Sequence, residues 1–349
     1  MKNHRKILLF GIILLAGLAC QAAEQLSSAP TPELNQTTGD SPGNQNSSGA
    51  ATITPTPFLP SEATIPAVTP TPEVTPAWGG YPGPSVQPAI PIPPPVDPIQ
   101  QPAGQVNILL LGSDQRPGEG GFRTDTILLL TLNPNQGTVH ITSFPRDLYV
   151  YIPGWTMQRI NTAQQKGGFA LTSATFEYNF GTPLDHFVMI NFAGFVSTID
   201  SLGGIDVNVP QALSEGDYSV SPGLVHMNGE MALWYVRSRY TTNDFDRTRR
   251  QQEVLLAIFR KLISLNGIQR APELYELYRD NVVTDMAFSD MTPFIGLASQ
   301  IAQDTSKVQS YYLGPQQVTP YRVPSTGAQV LLPKREAVLE VMRQALNAP

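Results

Sequence analysis

Residues 106–132 read VNILLLGSDQRPGEGGFRTDTILLLTL, two short and nearly continuous apolar runs around a stretch of Gly, Pro and charge. Apolar runs of this length without polar alternation are the pattern of strands buried on both faces. They predict strands over 106–111 and 126–132, with VHITS at 139–143 as a third candidate. The segment between the first two, 112–125, carries turn formers and charges and predicts a surface loop. Further along, NFAGFVSTIDSL at 191–202 places Phe192, Phe195, Val196, Ile199 and Leu202 at helical spacing and stops at Gly203 and Gly204. An alternating strand over 205–209 then ends at Pro210. Helices alternating with buried strands predict an α/β fold with helices covering both faces of a central sheet. No internal repeat is present.

Outward from this block, composition changes abruptly. No Lys or Arg occurs between Lys6 and Arg116, and Pro, Thr, Ser, Gly and Ala dominate. Such a segment buries too little apolar surface to offset the entropy of ordering it. Residues 24–104 therefore read as a disordered, partly polyproline linker, and 105–349 as one folded domain. Residues 1–23 have a basic start at Lys2, His4, Arg5 and Lys6 and an apolar run from Ile7 to Cys20, the shape of a secretory signal. Cys20 is the sole cysteine and follows Leu18 and Ala19, resembling the lipid-attachment site of bacterial lipoproteins; an uncleaved signal anchor fits the same residues. Either reading predicts an extracytoplasmic protein held on a membrane. With no cysteine in the domain, stability must come from the core. The net charge of −6 leaves no basic footprint for nucleic acid.

Residues 247–265 predict a helix whose core face is Val254, Leu255, Ile258, Phe259 and Leu262. Stepping that face backwards by three and four residues reaches Gln251, Arg250 and Arg247, so an apolar stripe turns cationic in its first turn. Asp244 and Asp246 stand before it as cap candidates.

Two carboxylates, Asp114 and Asp125, flank the 112–125 loop, and neighbouring strands would bring both to one end of the sheet. Such a pair with open space around it suits Mg²⁺, which takes one or two protein oxygens, keeps waters and binds phosphate. The same residues also fit surface ion pairs with Arg116 or Arg123. Arg146 follows the third strand and should reach the same rim. Arg237 and Arg239 are two apart, which puts both side chains on one side only if the segment is extended. With Arg247 they make a set of cations matched to a pyrophosphate, or a solvated basic rim.

The motifs NILLLGSDQR, RTDTILLLTLNP, SFPRDLYVYIPG, RINTA, DHFVMINFAGF, DSLGGIDVNVP, NGEMALWYVRSRY and DFDRTRRQQEVL occur in this order. In sequence and spacing they resemble the LytR-CpsA-Psr domain, densely over 105–265 and more weakly beyond. The resemblance implies a three-layer αβα sandwich with a mixed central sheet that holds a polyprenyl pyrophosphate in an apolar tunnel. It implies a Mg²⁺-dependent phosphotransferase that moves a glycopolymer from that carrier to a cell-wall acceptor, usually peptidoglycan. It assigns Asp114 and Asp125 to the metal and Arg146, Arg237, Arg239 and Arg247 to the pyrophosphate. Asp244, Arg116, Arg123 and Gln251 match further polar positions of that site. Three positions depart from the pattern: Asp246 stands for a usual Gly, Arg159 for a usual Lys and Thr162 for a usual His. The first adds negative charge beside the phosphate site, and the others bear on acceptor or sugar preference. A non-catalytic prenyl pyrophosphate binder and a prenyl pyrophosphate hydrolase would use the same residues.

Overall fold

A computed structural model of the chain describes residues 80–116, 121–238, 244–264 and 282–347. In chain order the body runs β1 (Val106–Ser113), β2 (Thr124–Asn133), β3 (Thr138–Ser143), β4 (Tyr149–Ile152), β5 (Thr156–Arg159) and α1 (Ala163–Phe180). It continues with β6 (His186–Asn191), α2 (Phe192–Ser201), β7 (Ile205–Val209), β8 (Leu213–Glu215), β9 (Tyr218–Val220), β10 (Gly223–Met227), α3 (Gly229–Arg237) and α4 (Asp244–Ser264). After β11 (Val282–Thr284) come α5 (Ile295–Gln303), β12 (Val308–Tyr312), β13 (Val318–Arg322), β14 (Gln329–Pro333) and α6 (Arg335–Ala345).

The central sheet has six strands in the order β11-β6-β1-β2-β3-β12. The β1–β2, β2–β3 and β6–β11 pairings are antiparallel, and β1–β6 and β3–β12 are parallel, so the sheet is mixed. Successive side chains of a strand point to opposite faces, and β1 divides its leucines accordingly. Ile108 and Leu110 join the apolar cluster that contains Ile199, Val254 and Ile258, whereas Leu109 and Leu111 join the one that contains Phe176, Phe180 and Met342. One core thus lies under α2, α3 and α4 and the other under α1 and α6, which is the expected layered sandwich. The three strands predicted first are present. The strand at 205–209 also forms, but it pairs with β10 in a separate two-stranded sheet.

Helix α2 starts where Asn191 accepts a hydrogen bond from Gly194 N, and α3 where Asn228 accepts one from Met231 N. Each is an N-cap that satisfies an orphan amide. A Cβ on Gly229 would collide with the carbonyl oxygen of Val196, so α3 packs directly on the backbone of α2. Gly229 N also donates to Asp200 Oδ1 at 2.7 Å. The predicted helix at 247–265 begins earlier, at Asp244, so Asp244 and Asp246 belong to its first turn rather than preceding it.

The expected boundary at residue 104 requires correction. Residues 80–104 lie against the body as a strap. Tyr81, Ile90 and Ile92 pack on the cluster of Tyr149, Tyr151, Met157 and Tyr178, and Ile99 packs on the α1 side of the sheet. Tyr178 OH donates to Pro93 O at 2.8 Å and Tyr151 OH to Pro82 O at 2.6 Å. Arg335 donates to Pro94 O and Pro95 O at 2.7 and 2.9 Å. Burial, and then the neighbouring Tyr151, push the Tyr178 phenol up to about 12. A polyproline backbone makes no hydrogen bonds within itself. Its carbonyls are therefore available to the body, and singly spaced apolar residues suffice to hold it. The expected signal at 1–23, with Cys20, and the expected linker over 24–79 lie outside the described residues.

Candidate active site

The β1–β2 register pairs Ser113 with Thr124, so Asp114 and Asp125 emerge side by side at one end of the sheet. The β2–β3 register pairs Leu128 with Ser143, which brings Arg146, three residues further, to the same end. The C-terminal turn of α3 and the first turns of α4 complete the enclosure. The resulting cavity of about 1170 Å³ is lined by Asp114, Asp125, Arg116, Arg123, Arg146, Arg237, Arg247 and Gln251. Arg239 and the side chain of Asp244 lie outside what the structure describes. Every other residue singled out for the site from the sequence converges on this one space.

The carboxylates differ in their surroundings. Asp125 accepts from Arg146 Nη1 at 2.5 Å through one oxygen and from Asn161 Nδ2 at 3.1 Å through the other. Asp114 accepts from Arg123 N at 2.5 Å and from Arg123 Nη2 at 3.4 Å. The ion pair between Asp114 and Arg123 therefore exists, yet it lines the cavity. Each carboxylate oxygen has one lone pair still available. Among the described residues no group of three or more His, Cys, Asp or Glu is placed to hold a metal ion. Two adjacent carboxylates with open volume in front fit a cation that keeps its waters and binds phosphate, as Mg²⁺ does.

The arginines divide into two kinds. Arg237, exposed, ends α3 and stacks over Phe192 with its guanidinium 4.3 Å from the ring centre. Arg247 is 5% exposed on the first turns of α4. Gln251, one turn further along, donates to Thr126 Oγ1 at 2.9 Å. Arg250 points elsewhere: it donates to Ser238 O at 2.5 Å and lies over the Tyr235 ring, tying α3 to α4. Tyr235 OH in turn donates to Glu253 Oε2 at 3.2 Å, and burial pushes both groups up. Arg237 sits in a helix, so the extended backbone that would align it with Arg239 is not met at that residue.

The three departures also resolve. Arg159 pairs with Asp147 at 2.9 Å, and Asp147 also faces Arg146 at 3.4 Å. Thr162 donates to Arg159 O at 2.7 Å. Arg159 thus shares Asp147 with Arg146, and neither Arg159 nor Thr162 lines the cavity. Asp246 lines a separate pocket with Arg249 and Gln252, so its charge is not directed into the main cavity. Asn161 was missed as a site residue although it lies within the quoted RINTA motif. Phe192, Glu215, Tyr218, Glu230 and Trp234 also line the cavity; Phe192, Glu230 and Trp234 lie within the DHFVMINFAGF and NGEMALWYVRSRY motifs, whereas nothing in the local sequence marks Glu215 or Tyr218.

A second, apolar pocket of about 120 Å³ opens off the first. It is walled by Leu110, Leu128, Val188, Ile190, Phe195, Val254, Leu255 and Ile258, between the sheet and the helices over it. The two spaces share Gly112, Thr126, Phe192, Leu233, Val236, Arg237 and Gln251. Gly112 stands opposite Thr126, and a Cβ there would press on the Thr126 side chain at 2.8 Å, so the absence of one keeps the junction clear.

The LytR_cpsA_psr family model matches residues 90–343. The chain belongs to that family. Among curated LytR_cpsA_psr relatives, the polyisoprenyl-teichoic acid–peptidoglycan teichoic acid transferase TagU of Oceanobacillus iheyensis is 38% identical over 189 residues, 52% of this chain and 59% of that protein. TagU of Bacillus cereus is 30% identical over 244 residues, 68% of this chain and 80% of that protein. The chain thus spans less than two thirds of the Oceanobacillus protein. In the solved structure of B. subtilis TagV, 98% of the chain superimposes on 70% of this one with a TM-score of 0.59 and 28% identity. A structure of TagT bound to LI-WTA gives 0.57 and 27% over 70% of this chain and 90% of that one. The family match begins at residue 90, inside the strap.

Proposed function

We propose that the protein is an extracytoplasmic phosphotransferase that moves a glycopolymer from a polyprenyl pyrophosphate carrier onto peptidoglycan. The observation that carries this reading is the junction of a cationic cavity with an apolar pocket, because a prenyl pyrophosphate is an apolar chain ending in a doubly anionic group. The names of the teichoic acid transferases among its relatives agree with it. In this reading Arg237, at the junction, and Arg247 grip the pyrophosphate, and Arg146 adds positive charge where Asp125 holds it. Asp114 and Asp125 would hold Mg²⁺, which when bound neutralises phosphate charge.

An acceptor hydroxyl attacks the phosphorus nearer the sugar, its bond to the bridging oxygen breaks, and prenyl phosphate leaves. The hydroxyl proton passes to a carboxylate of the cavity. The product is a sugar phosphodiester on the acceptor. The arginines favour this step because charge builds on the leaving phosphate and they are already in place to meet it. We assign Cys20 to lipid attachment, which would hold the site near a membrane-borne donor.

The test is an assay of the full chain with a prenyl pyrophosphate-linked glycan and peptidoglycan, with and without Mg²⁺. Glycan attached to peptidoglycan only in the presence of Mg²⁺ is expected. Release of glycan phosphate into water with none on peptidoglycan would make it a hydrolase. Tight donor binding without turnover would make it a binder.

A further inference from the structure

One wall of the main cavity carries chemistry unsuited to phosphate. Helix α3 turns Glu230, Leu233, Trp234 and Arg237 toward the space, the i, i+3, i+4, i+7 stripe of one helix face. At a rise of about 1.5 Å per residue, Trp234 lies about 4.5 Å and Glu230 about 10.5 Å along the axis from Arg237. The β8–β9 hairpin faces them. Its register sets Glu215 opposite Tyr218, so both side chains share a face. The Tyr218 ring stacks on the Trp234 indole, with centroids 5.4 Å apart and planes inclined by 23°. Tyr218 remains 39% exposed.

The polar atoms of this wall are incompletely matched. Trp234 Nε1 and Glu215 Oε2 are both shielded from solvent without a hydrogen-bond partner. Buried polar atoms without partners are rare because leaving them so is costly. An indole N–H only donates and a carboxylate oxygen only accepts. A hydroxyl group does both, so a ring bearing several hydroxyls can satisfy the two atoms. Two carboxylates would repel a phosphate, and an aromatic stack offers a flat apolar surface.

We propose that Tyr218, Trp234, Glu215 and Glu230 form a sugar subsite. A pyranose lies on the aromatic pair, with its hydroxyls held by Trp234 Nε1 and the carboxylates. Its place one helical turn from Arg237 fits the first sugar after the pyrophosphate. This deepens the reading above and depends on it only for that choice of sugar. The same chemistry would also hold a sugar of the acceptor.

The experiment measures binding of three probes to the full chain. They are geranylgeranyl pyrophosphate, the same pyrophosphate carrying one N-acetylglucosamine, and a soluble peptidoglycan disaccharide. Tyr218→Ala removes an exposed ring. Trp234→Phe keeps the packing and removes the N–H. Both variants should bind the sugar-bearing pyrophosphate at least about fivefold more weakly, with the sugar-free one unchanged. A loss confined to the disaccharide would still support the subsite and assign it to the acceptor. Unchanged affinity for both sugar probes in both variants overturns the proposal. Wild-type protein that binds the sugar probes but not geranylgeranyl pyrophosphate would refute the carrier reading and leave the subsite standing.

Discussion

Arg237 and Arg250 illustrate how burial separates two arginines that look alike in the sequence. Arg237 is exposed at the cavity junction, whereas Arg250 is 4% exposed and holds the carbonyl of Ser238. Arg237→Ala should therefore lower turnover by about 10² to 10³, the usual effect of removing a pre-organised transition-state donor, and leave the melting temperature unchanged. Arg237→Lys should restore little, because a point charge does not reproduce a planar fork of donors. Arg250→Ala should instead cost about 1.5–3 kcal/mol of stability, the worth of a hydrogen bond to a charged group. Turnover and thermal melting on the three variants check this, and equal melting losses at both positions would refute the division. Asn161→Ala should lower turnover less than Arg237→Ala does, because it frees one oxygen of Asp125, and since Asn161 is only 2% exposed it should also lower the melting temperature. At this scale the convergence of Asp114, Asp125, Arg146, Arg237 and Arg247 on one cavity was legible because charge in an apolar sequence has few places to go. Asn161 could have been read from its motif, whereas Tyr218 and Glu215 could not. They matter only through a three-residue strand pairing that leaves no periodic trace.

The strap is the element whose sequence reading failed. Composition predicts that 80–104 cannot build a core, which is true, but the segment needs only to lie on one already built. Ile90, Ile92 and Ile99 are each partly buried against the body, so each adds part of the roughly 1.5–3 kcal/mol of a fully buried side chain. A chain starting at residue 105 should therefore melt several degrees or more below one starting at residue 80. Arg335→Ala, which removes the donors to Pro94 and Pro95, should lie between the two and speed proteolysis within 80–104. Equal melting of the two truncated chains would show that the strap contributes no stability. Helices α2 and α4, by contrast, were legible to within a few residues, since apolar residues at helical spacing are a local signal.

Across the whole molecule, stability should depend on acidity through His140. It is 2% exposed in β3, its Nδ1 lies 2.8 Å from the carbonyl of Ala345 in α6, and its ring lies 5.3 Å from that of Tyr311. Burial lowers its pKa below 6.5, and the hydrogen bond to Ala345 opposes this only in part. Below pH 6.5 the unfolded chain takes up the proton before the folded one does, so the unfolded state binds more protons. The stability that neutral His140 contributes is therefore present above pH 6.5 and lost as pH falls toward its lowered folded value. Melting at pH 7.5 and 5.5 should show a smaller drop in His140→Gln than in the wild type, and an equal drop would exclude His140 as the cause. The layered sandwich was legible because β1 and β2 are too apolar to face water on either side. The position of β7 was not, since an alternating strand reads the same in any sheet.

The close seat of Gly229 on the backbone of α2 gives α3 no room to shift inward, and any side chain there would lever the helix outward. Arg237, Trp234 and Glu230 would all move with it. In a random-mutagenesis screen Gly229 should therefore score with the cavity-lining positions, although it has no side chain to offer. Second-site suppressors of such a lesion should arise where Val196 and its neighbours on α2 can yield, and not among the charged residues of the cavity.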